Sequence, residues 1–307
     1  MIRVPYRAVA VTFAGGALVV GLGLLCGPYW TLVALNLAMW IALTQSWSLF
    51  CGLTGYISLG HVVAYGIGGY IVATTFKTLP LWASVAFGGA SAGLFALLVA
   101  IPVLRVRGPY FVILTFGLAE LVKYVLLYVE TAMGKSSRLL FGAPGPDVLL
   151  FWVGVLAVAA TLANHLVGVS RFGRGLVAIR EDETAAETIG VPAVRYKALA
   201  FAFSAVIPGM VGGLMTLRST YFEVLQVFSP TISFSIVTMA IIGGSADARG
   251  PVLGALFMVG LSELLWRSTP QLYFIALGLF LIAFVLFAPE GLTGLMRRSR
   301  PALESAR

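Results

Sequence analysis

The sequence predicts an all-α fold: a polytopic transmembrane helical bundle of about ten spans, with both termini on the cytoplasmic side. Three observations predict it. Of 307 residues, 60% are hydrophobic and 10% charged, and the mean hydropathy is +0.99. A soluble domain carries about 25% charge, so a water-soluble globule lacks the charges to coat it, and a chain this apolar is not disordered either. No Asp, Glu, Lys or Arg occurs from residue 8 to residue 76, a stretch of 69 residues. As one helix it would extend about 100 Å at 1.5 Å per residue, whereas about 20 residues cross a bilayer core, so it must fold back. Finally, the cations are spread unequally over the links.

The spans follow in order. Arg3 and Arg7 precede the apolar run 8–27. That run is long, has no A-x-A exit and leads into more apolar sequence, unlike a cleaved leader; Leu25 stands before Cys26 where a lipoprotein signal places a small residue. Gly27-Pro28 separates it from a second span, 30–51, and Gly52 to Gly60 separates that from a third, 61–76. Spans 81–104 and 109–128 follow, then a link 129–147 whose Gly and Pro argue against a long helix. Span 148–168 leads into the link 169–196, and the chain continues with spans 197–217, 230–246, 250–267 and 271–288. Gly209-x-x-x-Gly213 and Gly250-x-x-x-Gly254 fit close helix approach, which small residues permit in lipid. Cys26 and Cys51 sit in apolar stretches without metal-ligand spacing and read as packing residues.

Alternating from an internal N-terminus places 14 Lys and Arg inside: Arg3, Arg7, Arg105, Arg107, Arg171, Arg174, Arg180, Arg195, Lys197, Arg249, Arg297, Arg298, Arg300 and Arg307. Six remain outside or at the outer edge: Lys77, Lys123, Lys135, Arg138, Arg218 and Arg267. That asymmetry is what the positive-inside rule requires. The net charge of +8 therefore faces anionic lipid and not a nucleic acid. Residues 1–307 form a single membrane domain, without a soluble domain or linker.

The inner link is the richest in chemistry. Ser170 to Gly175 reads as a turn with two cations, Arg171 and Arg174, and 176–180 as a short helix. After Glu181-Asp182-Glu183, Thr184 with Glu187 makes a capping box, Gly190 ends the second helix and Pro192 forbids its continuation. Four acids within seven positions, at Glu181, Asp182, Glu183 and Glu187, differ from the Lys and Arg of a helix lying on lipid. A mixed-charge helical knuckle suits a protein partner.

The run RFGRGLVAIREDETAAETIGV, beginning at Arg171, resembles the coupling segment of LivM-type permeases, the membrane subunits of branched-chain amino acid ABC importers. GLTGYISLGHVVAYGIGGY (52–70), LRVRGPYFVILTFGLAELV (104–122) and IIGGSADARGPVLGA (241–255) resemble the same family, in the same order. Related importers carry Glu-Ala-Ala, three residues, then Gly in this loop; here Thr184 stands in the Glu place before Ala185, Ala186 and Gly190. The resemblance implies a bacterial inner-membrane permease subunit forming half of a path for Leu, Ile and Val. It also implies a second, related permease, two cytosolic ATPases that bind ATP and Mg, and a periplasmic substrate-binding protein. Arg174, Arg180, Glu181, Glu183, Thr184, Ala185, Ala186, Glu187 and Gly190 are then the coupling residues.

The chain's own chemistry agrees with an external energy source. A phosphate loop needs G-x-x-x-x-G-K-[ST]; Gly134-Lys135-Ser136 is the near match, and the first glycine's place is held by Val129. His61 and His165 have no metal-ligand spacing. The charged pairs Glu120/Lys123 and Glu263/Arg267 lie three and four apart, where they neutralise each other or serve substrate or gating. No cofactor is expected in this chain.

Two glycine-rich breaks are candidates for the path. In 52–60, Gly52, Gly55 and Gly60 are poor helix formers among hydroxyl residues that include Ser58, and His61 and Tyr65 open the next span. Non-helical backbone at membrane depth survives only inside protein or against a water-filled cavity; the alternative is a plain cytoplasmic turn. Asn36 and Gln45, one span earlier, line the path or bond between helices. The second break is 243–250. A permease of this family for urea, amides or other amino acids has the same patterns; an ion-coupled carrier would want an unpaired midplane acid, and a membrane enzyme a polar catalytic cluster.

Overall fold

The computed structural model describes residues 6–134, 138–219, 221–245, 247–266, 270–287 and 291–298. Arg3, Lys135, Ser136, Arg267, Arg300, Arg307 and the predicted span ends at 246, 267 and 288 lie outside the described residues. The architecture is all-α. The long helices are α1 (Tyr6–Leu25), α2 (Pro28–Trp47), α3 (His61–Thr75), α4 (Leu81–Val103), α5 (Pro109–Ala132), α6 (Pro146–Val169), α9 (Ala193–Leu217), α11 (Pro230–Gly243), α12 (Arg249–Trp266) and α13 (Pro270–Phe287). They overlie the ten predicted segments. Short helices α7 (Arg171–Glu181), α8 (Glu183–Thr188), α10 (Val224–Val227) and α14 (Gly291–Arg298) join them, with two-residue strands β1 (Arg138–Leu139) and β2 (Tyr221–Phe222). Six stretches among the described residues are long and apolar enough to cross a membrane: Pro28–Gly52, Leu81–Val103, Pro109–Ala132, Pro146–Val169, Ala193–Leu217 and Val224–Gly243.

Local chemistry sets the boundaries. Proline occupies the first turn of α2, α5, α6 and α11, where its missing N–H costs nothing. Pro102 and Pro208 sit inside α4 and α9; Pro208 is buried among neighbouring helices, whereas Pro102 lies in the last turn of α4. α5 runs to Ala132, past the predicted end at 128, because Glu130 is buried and held there. Arg138 donates to it from Nε at 3.1 Å and from a terminal nitrogen at 2.6 Å, and Tyr70 donates to it at 3.0 Å. α9 starts at Ala193 and not 197, which places Lys197 inside the helix.

Helices meet where side chains are absent. A Cβ on Gly68 of α3 would overlap the Gly209 carbonyl of α9, and one on Gly212 would overlap the Tyr65 carbonyl. Gly88 and Gly89 of α4 close the same three-helix group. Gly243, Gly250 and Gly254 do likewise between α11 and α12. Both small-xxx-small motifs thus sit in backbone-to-backbone crossings. α1, α2 and α6 make another group, and α5 turns Ile113, Leu121, Tyr124, Val125 and Tyr128 outward. That apolar face suits lipid.

The links separate onto two ends. At one end Arg180 of α7 donates to the Gly52 carbonyl, Gln45 to the Ala248 carbonyl and Ser48 to the Ser245 carbonyl, while Arg107 pairs with Glu183. At the other, β1 pairs antiparallel with β2, Arg138 opposite Phe222 and Leu139 opposite Tyr221, beside the Glu130–Arg138–Tyr70 cluster.

Candidate functional site

The link between α2 and α3 begins as a widened helix. Ser48–Gly52 form a π-helical turn, a rare irregularity that concentrates at functional sites. At Gly52 only hydrogen fits, since a Cβ would overlap the Ser245 carbonyl. At Gly55 the backbone turns with φ 75°, a conformation that glycine adopts without steric cost. The chain then re-enters the bundle. Trp47 Nε1 donates to the Ser58 carbonyl at 2.8 Å, Ser233 Oγ donates to the Leu59 carbonyl at 2.6 Å, and the Leu59 N–H donates to Thr115 Oγ1 at 3.1 Å. The Gly60 N–H donates to Ser58 Oγ at 3.1 Å. Thr115 lies six residues into α5, about 9 Å along its axis. Side chains from α2, α5 and α11 thus satisfy non-helical backbone below the helix ends, as a dry interior demands.

His61 opens α3 beneath this link and is buried. Its Nε2 lies 3.2 Å from Ser204 Oγ, and that hydroxyl itself donates to the Phe201 carbonyl. The hydroxyl is therefore the acceptor, which assigns the proton to Nε2 and leaves Nδ1 as an acceptor without a protein partner. A cavity of about 20 Å³ lies against His61, Gly60 and Phe201, room for about one water. Tyr65 is buried in α3 with its backbone against Gly212. Gln45 is fully buried, accepts from Asn164 Nδ2 at 2.7 Å and donates to the Ala248 carbonyl at 2.5 Å, so it bonds between elements. Asn36 is half-buried on α2. Glu120 and Lys123 pair at 2.5 Å; Glu263 accepts from the Tyr29 hydroxyl, and its expected partner Arg267 lies outside the described residues. Among the described residues no group of three or more His, Cys, Asp or Glu could hold a metal ion.

The second element is the α7–α8 loop. The expected turn at 170–175 is helical: Ser170 caps α7, its Oγ accepting from the Gly173 N–H at 3.0 Å. Gly173 and Gly175 allow α7 to lie against the Val167 carbonyl and the Tyr196 ring, and Phe172 stacks on Tyr196 at 4.9 Å. Leu176, Ile179 and Ala186 are buried. The α8 cap is Asp182 and not Thr184: its carboxylate accepts from the Thr184 and Ala185 N–H groups at 2.8 and 3.0 Å. The chain breaks at Asp182, a residue type among the strongest caps, so Thr184 falls inside the helix. Gly190, at φ 89°, ends α8 and lets the Val191 N–H reach the Ala186 carbonyl. Arg174, Glu181, Thr184, Ala185, Glu187 and Gly190 face outward, with Ile189 75% exposed among them.

Arg180, itself exposed, and Glu183, half-buried, both reach the re-entrant link. The Arg180 guanidinium donates to the Gly52 carbonyl at 3.0 Å. The Glu183 carboxylate accepts from Lys197 Nζ at 2.7 Å and from the Tyr56 hydroxyl at 2.9 Å, with Arg107 at 3.3 Å. Lys197 Nζ also donates to the Tyr56 hydroxyl at 3.1 Å and lies 4.6 Å from the ring centre, and the Tyr56 ring meets Phe111 edge-on at 5.2 Å. Burial pushes the Glu183 pKa up, but the Lys197 and Tyr56 hydrogen bonds and the Lys197 and Arg107 charges outweigh it, holding the carboxyl below its ordinary 4.5. Two sets of residues singled out separately, one for a path and one for coupling, are therefore in contact. Tyr56, Arg107 and Lys197 complete the cluster, and the sequence marked them only as a hydroxyl and two internal cations.

The family described as "Branched-chain amino acid transport system / permease component" matches residues 30–288. The high-affinity branched-chain amino acid transport system permease protein LivM of Escherichia coli is 27% identical over 294 residues, 84% of this chain and 68% of the relative. LivM of Salmonella typhimurium is 26% identical over 300 residues, 86% and 70%. A protein of Methanocaldococcus jannaschii, named a probable branched-chain amino acid transport permease protein LivH, is 26% identical over 263 residues, 78% and 79%. No solved structure gives a significant match. With the family covering nearly all of the helical bundle, both the re-entrant link and the α7–α8 loop included, the chain belongs to the branched-chain amino acid transport system permease component family.

Proposed function

We propose that this chain is one of two permease subunits of an ATP-binding cassette importer for branched-chain amino acids, crossing the bacterial cytoplasmic membrane ten times with both termini inside. The second permease is a related, different chain. Two cytosolic ATPases bind ATP and Mg and hydrolyse the nucleotide, and a periplasmic binding protein delivers the substrate. This subunit carries no catalytic or cofactor chemistry of its own. The observation that carries the reading is the placement of the α7–α8 loop: an outer face of mixed charge with an apolar tip, and an inner face gripping the link that re-enters the bundle. The positive-inside asymmetry supports a cytosolic place for that end, since Arg105, Arg107, Arg171, Arg174, Arg180, Arg195, Lys197 and Arg249 all lie on links or helix starts there.

In this mechanism the ATPases hold the outer face of α7 and α8 in a groove. Nucleotide-driven movement displaces the loop, and the displacement reaches the path through the inner face. Selectivity for a zwitterion with an apolar side chain resides largely in the binding protein, so the path can be mostly apolar with scattered hydroxyls.

The test is co-expression with the neighbouring permease, ATPase and binding-protein genes, purification, and reconstitution into liposomes. Leucine uptake that requires ATP and the binding protein is the expected result. Uptake by this chain alone under an ion gradient overturns the reading in favour of a secondary carrier. A binding protein that retains urea or an amide instead moves the cargo within the same family.

A further inference from the structure

Arg180 and Glu183 stand on opposite sides of Asp182, where α7 ends and α8 begins. Each holds a different point of one five-residue segment: Arg180 the Gly52 carbonyl, Glu183 the Tyr56 hydroxyl. The Gly52 carbonyl closes the π-helical turn, where carbonyls lack partners within the helix. Beyond Tyr56 the chain is tied to the bundle instead, through Trp47, Thr115 and Ser233. The link is thus suspended between the loop and the helices, and a shift of the α7–α8 elbow acts directly on Gly52 and Tyr56. The ionic cluster needs a reason beyond stability, because a buried ion pair is often replaced by apolar residues without loss. Lys197, 1% exposed, holds Glu183 and Tyr56 at once and so fixes one arrangement of loop and link.

We propose that Glu183, Lys197 and Tyr56, with Arg180 on the Gly52 carbonyl, form a latch that transmits displacement of the α7–α8 loop to the 52–60 link and so controls opening of the path. These are positioning residues; none is asked to touch substrate. The inference deepens the importer reading and rests on it.

The test uses the complete transporter in liposomes and two variants: E183L/K197M, which removes both charges together, and Y56F, which removes a single hydroxyl and keeps the ring on Phe111. The quantity read is ATP hydrolysed per leucine transported. Both variants should retain the ATPase subunits and hydrolyse ATP within about twofold of wild type, while the ratio rises about 5–10-fold in E183L/K197M, within the range of ordinary coupling energies, and about threefold in Y56F. A merely structural cluster would change assembly or leave the ratio alone. An unchanged ratio in Y56F and in assembled E183L/K197M overturns the latch while leaving the importer intact. A wild-type complex without ATP-dependent uptake overturns the importer reading and the latch with it.

Discussion

Replacing Glu183 alone with leucine should strand Lys197. The Lys197 side chain is 1% exposed and that of Glu183 10%, so neither charge recovers water when its partner is lost. In E183L the ammonium keeps only the Tyr56 hydroxyl and ring, with the Arg107 cation nearby. Breaking a buried pair from one side costs about 3–5 kcal/mol. K197M is milder, because Glu183 retains the Tyr56 hydroxyl and a largely exposed Arg107; about 1–2 kcal/mol is expected for the lost charged hydrogen bond. E183L/K197M should lie within about 1 kcal/mol of wild type, since apolar replacement of both partners is often neutral. The cycle then closes with a coupling energy of about 5 kcal/mol. Denaturant unfolding of the purified chain in micelles measures all four proteins. A cost below about 1 kcal/mol for E183L, or a double variant as unstable as the sum of the singles, would refute the reasoning.

Further outcomes follow from other parts of the molecule. Glu183 titrates below its ordinary 4.5 in the folded chain, so its contribution is complete above that pH and is lost as the pH falls through the folded value; melting midpoints measured from pH 6 to pH 3 should fall, and fall less in E183L/K197M. Gly68→Ala would drive a Cβ into the Gly209 carbonyl and should cost about 1–3 kcal/mol as overpacking, whereas Gly117→Ala, with nothing within 4 Å, should not destabilise; equal midpoints for the two would contradict the crossing. Ile189→Asp, at a position 75% exposed, should weaken retention of the ATPase about tenfold and leave the melting midpoint of the isolated chain unchanged. Full ATPase retention would remove Ile189 from the docking face.

The helices were legible because each needs only an uninterrupted apolar run, and the breaks because glycine clusters interrupt those runs. Caps were harder. Thr184 with Glu187 satisfies the capping pattern, yet Asp182 stands two residues earlier and the chain turns there. The latch was not legible, because Tyr56 and Lys197 are separated by 127 and 14 residues from Glu183, and a lone lysine at the start of an apolar span looks like any positive-inside cation. The short helix α10 with Phe228 left no mark beyond a gap between spans; the Phe228 ring packs on Gly66, and a contact made by the absence of a side chain has no signature at the partner's end. Gln45 was open between two uses until the Ala248 carbonyl and Asn164 came to it across more than 100 residues.

The small ribbon of β1 and β2 sets a metre for the connections it ties. Leu139 faces Tyr221 and Arg138 faces Phe222; Phe222 is buried beside Tyr70 while Tyr221 points away. Strand side chains alternate, so a one-residue slip of β2 against β1 would exchange the places of those two aromatics. The burial of Phe222 against Tyr70 therefore pins the register of the ribbon, and with it the level at which the two connections meet.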